Sequence, residues 1–92
     1  MNIHEQQRPC RPAELIWRQV DDGIVIVSPT AGQVRVLNQL GSHIWEQLDG
    51  QHSLGDIEQS LIGRYPHIPA TQIHTDLHQF LNELNSRGLV SF

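Results

Sequence analysis

The chain has 92 residues, which fits one small domain. Apolar residues make up 38% of it, enough for one compact core and too few for a large enclosed active site. Ten acidic residues stand against six arginines and no lysine, a formal charge of −4, so the basic footprint of a nucleic-acid binder is missing.

Cys10 is the single cysteine, which excludes an internal disulfide. A nucleophile needs a positioned base, and none lies near Cys10 in sequence. No apolar run approaches the roughly 18 residues of a membrane span, and the N-terminus lacks a signal-peptide core. These features predict a cytoplasmic protein.

Residues 1–12 are polar and punctuated by Pro9 and Pro12. They predict a flexible N-terminal tail, or an arm laid on the domain, ahead of a single domain over 13–92. Leu15 to Val20 reads as a first strand. Asp22-Gly23 follows, and Asp-Gly between apolar runs signals a two-residue hairpin turn. Ile24-Val-Ile-Val27 is apolar at every position, which predicts a central strand covered on both faces. The N-terminal arm, the C-terminal Leu89-Val-Ser-Phe92 or a second subunit are the candidates for the second cover. Ser28-Pro-Thr-Ala-Gly32 reads as a turn. Gln33 to Leu37 is the third strand, with Val34 and Val36 on one face and Gln33, Arg35 and Leu37 on the other. Being last in the meander, it is an edge.

Asn38 can cap a helix running to Leu48, with Leu40, Ile44, Trp45 and Leu48 on its apolar face and Gly50 as its stop. Ser53 and Asp56 form a capping-box variant at the start of a second helix, whose buried face is Leu54, Ile57, Leu61 and Tyr65. Pro66 and Pro69 bound a loop. A third helix runs from Ala70 or Thr71 to Gly88, with Ile73, Leu77, Phe80, Leu81 and Leu84 as its stripe. Asp76 and Glu83 lie along one flank and His74 and His78 along the other. Three strands then three helices define a small α+β domain of winged-helix type: a three-stranded antiparallel meander followed by three helices.

Residues for catalysis do not assemble in the sequence. There is no Gly-rich phosphate loop, no Cys cluster for a metal, and no Ser, His and carboxylate set. His74 and His78 have the i, i+4 spacing of metal ligands, but no third ligand is obvious, so they read as solvated histidines and no metal or cofactor is expected. Asp76 reads either as a solvated carboxylate near a helix start or as an acceptor for an incoming chain. Arg35 reads either as a guard against edge aggregation or as a binding residue. Trp17 and Trp45 read as core.

The ordered set Val34-Arg-Val-Leu-Asn38, Ile44-Trp45, Leu48-Asp-Gly50, Ser53, Ile57, Leu61, Tyr65, Asp76-Leu77, Phe80-Leu81, Leu84 and Gly88-Leu-Val90 resembles the PqqD family of peptide-recognition domains, the RiPP recognition elements. The resemblance covers about residues 12–91. It implies a non-catalytic peptide chaperone that binds the leader of a ribosomally made precursor peptide. It also implies a partner enzyme, often a radical S-adenosylmethionine protein, in pyrroloquinoline quinone or related biosynthesis. By the resemblance, the leader adds as a strand along Gln33, Val34, Arg35, Val36 and Leu37. Ile73, Asp76, Leu77 and Phe80 form the facing wall. The residue pattern agrees on the open edge. It leaves open whether the Asp76 and Phe80 flank or the His74, His78 and Leu81 flank faces the groove. Two other readings remain: a winged-helix DNA-binding regulator, which the charge opposes, and a module that self-associates, as a homodimer, through the same edge.

Overall fold

A computed structural model describes residues 4–21, 23–28 and 33–92. Strands β1 (Ile16–Val20), β2 (Gly23–Ser28) and β3 (Gln33–Leu37) form an antiparallel meander in the order β1-β2-β3. Helices α1 (Gln39–Glu46), α2 (Leu54–Arg64) and α3 (Ala70–Ser86) follow. The α+β class and its order of elements are those expected from the sequence. Among the described residues no helix is long and apolar enough to cross a membrane.

The first hairpin differs from its expected form. Val20 pairs with Gly23, so the link is made by residues 21 and 22, and Gly23 belongs to β2. Asp21 takes the positive φ of 49° instead. Gly23 is required for another reason: a Cβ there would lie 2.4 Å from the carbonyl oxygen of Leu37. Asp22 and residues 29–32 of the expected turn from Ser28 to Gly32 lie outside the described residues, and Ser28 itself ends β2.

Helix starts follow the capping chemistry. The Asn38 side chain accepts the Gly41 N–H at 2.8 Å. Ser53 and Asp56 exchange both bonds of a capping box. α3 starts after Pro69 and has no side-chain cap. It ends in a Schellman motif: Gly88, at φ 72°, donates to Asn85 O, and Leu89 donates to Leu84 O. That turn drives Leu89 and Val90 back into the core.

One face of the sheet is buried. Ile24, Ile26 and Leu37 pack under Ile44, Trp45, Leu48, Leu54, Ile57, Leu61, Ile73, Leu77, Leu81 and Leu84. Trp17 meets Trp45 edge-on, with ring centroids 6.4 Å apart.

The other face narrows the candidates for the second cover. Strand pairing puts Ile16, Arg18, Val20, Val25, Val27, Val34 and Val36 together on it. Ile16, Val20, Val27, Val34 and Val36 are exposed. Neither the arm nor the C-terminus covers them, because both are engaged at the corner between α1 and α2.

Residues 4–12 form an arm at that corner, the second of the two readings of 1–12, rather than a flexible tail. The reason lies in unpaired helix ends. The carbonyls of Gln7 and Glu5 accept the first-turn N–H groups of Leu54 and Gly55. Pro9 O accepts Gly50 N–H, and Cys10 exchanges two backbone bonds with Ser91. Arg11 donates from Nη1 to the carbonyls of Trp45 at 2.6 Å and Glu46 at 3.2 Å, at the C-terminal end of α1 where the dipole favours a cation. Its guanidinium lies 5.0 Å from the Trp17 ring centroid.

Arg11→Ala removes two charge-assisted bonds and this stacking, and is expected to cost about 2 kcal/mol in urea unfolding. A loss below about 0.5 kcal/mol would show that the arm merely rests on the domain.

Candidate functional site

β3 is hydrogen-bonded to β2 on one side only. An edge strand of this kind presents a row of unpaired backbone donors and acceptors. Leu37 is buried and anchors the strand end in the core, and Asn38 converts it at once into α1. The edge is therefore held stiffly from one end.

Beside the edge runs a groove. One part, about 240 Å³, is lined by Arg35, Val36, Leu37, Asn38 and Phe80. A second, about 190 Å³, is lined by Asn38, Leu40, Gly41, Ile44, Asp76 and Phe80. Asn38 and Phe80 are common to both, so the two parts are continuous from β3 to the α1–α3 junction. Gly41 permits the approach: a Cβ there would meet the Phe80 ring at 3.4 Å and Asn38 Oδ1 at 3.1 Å. A larger depression of about 510 Å³ lies elsewhere, over the hairpin end, lined by Val20, Asp21, Gly23, Val25 and Val36 among others. It reaches the start of α1 through Leu37, Asn38 and Gln39 and opens mainly on the bare sheet face.

The groove carries few charges. Arg35 reaches from β3 to α3, with its Nη2 2.5 Å from Glu83 Oε1. Arg87 Nε stands 3.9 Å from the same oxygen. Among the described residues, Arg35 Nε is buried without a hydrogen-bond partner. Asp76 is half-buried on the groove wall, and no hydrogen bond or ion pair engages it among the described residues.

The flank of α3 that faces the groove is the one carrying Asp76, Phe80 and Glu83. The opposite flank faces α2, where His74 Nδ1 lies 2.6 Å from Glu58 Oε1 and Leu81 is fully buried. On that flank His78 is held below the ordinary histidine range, first by burial and then by the neighbouring His74.

The expected site residues divide accordingly. Val34 and Val36 are 67% and 72% exposed and point to the bare sheet face, so they offer the groove their backbone and not their side chains. Leu37 lines the groove at the end of β3 with its side chain largely in the core. Ile73 and Leu77, expected on the wall, are at most 1% exposed and form the layer beneath it. Of Gln33 only the backbone position, at the start of β3, is described. Asn38, Leu40, Gly41 and Glu83 line or close the groove and were not singled out as site residues. The position of Glu83, seven residues after Asp76 and three after Phe80, was the available signal.

An open edge strand with a helix-walled groove beside it is the architecture of a small peptide-docking domain. The chain belongs to the PqqD family: residues 23–90 match the family described as coenzyme PQQ synthesis protein D (PqqD). A protein of Acinetobacter baylyi (strain ATCC 33305 / BD413 / ADP1) named PqqA binding protein is 37% identical over 71 residues, which cover 77% of this chain and 68% of that one. The solved structure described as TbiB1 in complex with the TbiA(beta) leader peptide has the same fold. Its TM-score is 0.81 at 22% identity, covering 89% of this chain and 94% of that chain.

The Arg35 to Glu83 pair is solvent-accessible, and such pairs contribute little to stability. Glu83→Gln is therefore expected to change unfolding free energy by less than about 1 kcal/mol. A larger loss in urea unfolding would make the pair a structural clamp and not a movable rim of the groove.

Proposed function

We propose that this chain binds the leader segment of a ribosomally made precursor peptide and presents it to a modifying enzyme. The relative named PqqA binding protein and the solved leader-peptide complex that shares this fold support this reading. One observation carries the mode of binding. β3 is unpaired along one side and faces a groove walled by Asp76 and Phe80.

On this reading the leader adds to β3 as a fourth, antiparallel strand along Gln33 to Leu37. Backbone hydrogen bonds supply affinity, and alternate side chains enter the groove. An apolar side chain packs against Phe80 and Leu40, and Asp76 accepts an N–H or a cationic group from the peptide. The domain carries no reaction of its own. The chemistry belongs to the partner, a radical S-adenosylmethionine or other peptide-modifying enzyme of a quinone-cofactor or related pathway. The chain then works in the cytoplasm, where the precursor is made.

The bare outer face of the sheet is assigned to that enzyme. A leader strand on β3 extends this same face, so an enzyme seated there touches the domain and the leader together. Self-association through the same face is the competing reading.

Val34→Pro and Val36→Pro are expected to abolish leader binding, because proline cannot keep the ladder. In NMR titration with the leader, shifts should cluster at 33–37, Asp76 and Phe80 and spare His74 and His78. Unchanged affinity in a folded proline variant sinks strand addition. Shifts centred on the histidines sink the choice of flank.

Ile16→Glu and Val20→Glu alter only the exposed face. They are expected to leave leader affinity within about twofold and to cut enzymatic modification of the precursor by at least about tenfold, through the cost of desolvating a charge. Full modification by both variants would remove the face as the docking site. A wild-type dimer in sedimentation that either change dissolves would hand the face to a second copy.

A further inference from the structure

The flank of α3 turned away from the groove brings together three side chains from two helices. His74 and His78 stand one turn apart on α3, with ring centroids 4.2 Å apart and planes tilted by 33°. Glu58 comes from α2, and its Oε1 lies 2.6 Å from His74 Nδ1. One ligand atom from each of the three falls within 4.8 Å of the others. Glu58 was invisible in the sequence reading, since it lies 16 residues from His74 and joins it only through the packing of α2 on α3.

We propose that Glu58, His74 and His78 form a binding site for one divalent transition-metal ion of the zinc class, which clips α2 to α3. Two imidazoles and one carboxylate form a borderline-soft donor set that suits Zn²⁺, Ni²⁺ or Cu²⁺ and does not suit Mg²⁺. Ligand bonds of about 2.0–2.2 Å place donor atoms about 3.4 Å apart, so the contact of Glu58 with His74 opens and the wider separations close by rotamer adjustment alone. A hydrogen bond between Glu58 and His74 accounts for only two of the three groups. His78 is half-buried beside them, and among the described residues it has a ring contact and no hydrogen-bond partner.

An open hollow of about 490 Å³, lined by Glu58, Ala70, Thr71, His74 and Thr75, gives an ion access from solvent. Three protein ligands leave a fourth position for water. Because α3 also walls the groove, the ion fixes the helix whose other flank carries Asp76 and Phe80. The site itself stands on its own geometry and does not depend on leader binding.

The test is calorimetric titration of the chelator-treated full chain with Zn²⁺ alone, paired with NMR of the imidazole nitrogens. The expected result is one equivalent bound, with ring shifts at His74 and His78, a raised melting temperature and no response to Mg²⁺. Glu58→Gln and His78→Gln each weaken binding by at least about tenfold, while His52→Gln, at a histidine elsewhere on the surface, leaves it unchanged. Circular dichroism checks the fold of each variant, and the ring shifts of the unaltered chain decide the matter should one fail to fold. No binding at millimolar Zn²⁺ overturns the proposal. So does binding whose shifts fall on other histidines, which marks an adventitious ion.

Discussion

Everything in this domain depends on holding one strand rigid while leaving half of its hydrogen bonds unmade. β3 meets that requirement through its last residues. Leu37 is sealed in the core and Asn38 caps α1, so the chain passes from strand to helix with no slack. Gly23 tightens the joint, since only glycine tolerates the Leu37 carbonyl so close. An edge fixed in this way loses little conformational entropy when another strand joins it, which is the condition for affinity from main-chain bonds.

A small core leaves other accounts to be settled at the surface. α1 ends and α2 begins within eight residues, so unpaired carbonyls and N–H groups are crowded at one corner. The arm answers both ends, with Arg11 donating to the carbonyls and Gln7 and Glu5 accepting from the N–H groups. The C-terminal Ser91 joins the same arm through Cys10. Residues 5–11 and Ser91 are thus committed at this corner.

Much of this was legible in the residues. The strand alternation, Asn38, the Ser53 and Asp56 box and Gly88 are local signals, and each marks its element in the structure. What depended on the packing of distant segments was less legible. Polar residues before Arg11 gave no sign of the unpaired groups they would meet. The all-apolar run of β2 marked a central strand, but the second cover it implied comes neither from the arm nor from the C-terminus, because a face awaiting a partner has the same composition as a covered one. Periodicity placed His74 and His78 on one flank and Asp76 on the other without saying which flank α2 would take. Ile73 and Leu77 carried the apolar stripe and so lie beneath the groove, while Phe80 at the edge of the stripe reaches it.

The meander has two edges, and of the hollows beside them, among the described residues, only those beside β3 have a wall from α3. A strand added to β3 meets backbone partners on one side and a wall of Phe80 and Asp76 beneath it. On the β1 side, the hollow described is lined by Ile16, Trp17, Arg18, Val20, Val25 and Val27, all from strands and without a helix. Trp17, the inward residue of β1, is already stacked under Arg11 and against Trp45. A peptide on β1 could form a ladder, but the hollow beside it has no wall from a helix. Ladder bonds alone do not distinguish one sequence from another, so selectivity follows the helix, and the helix lies beside β3.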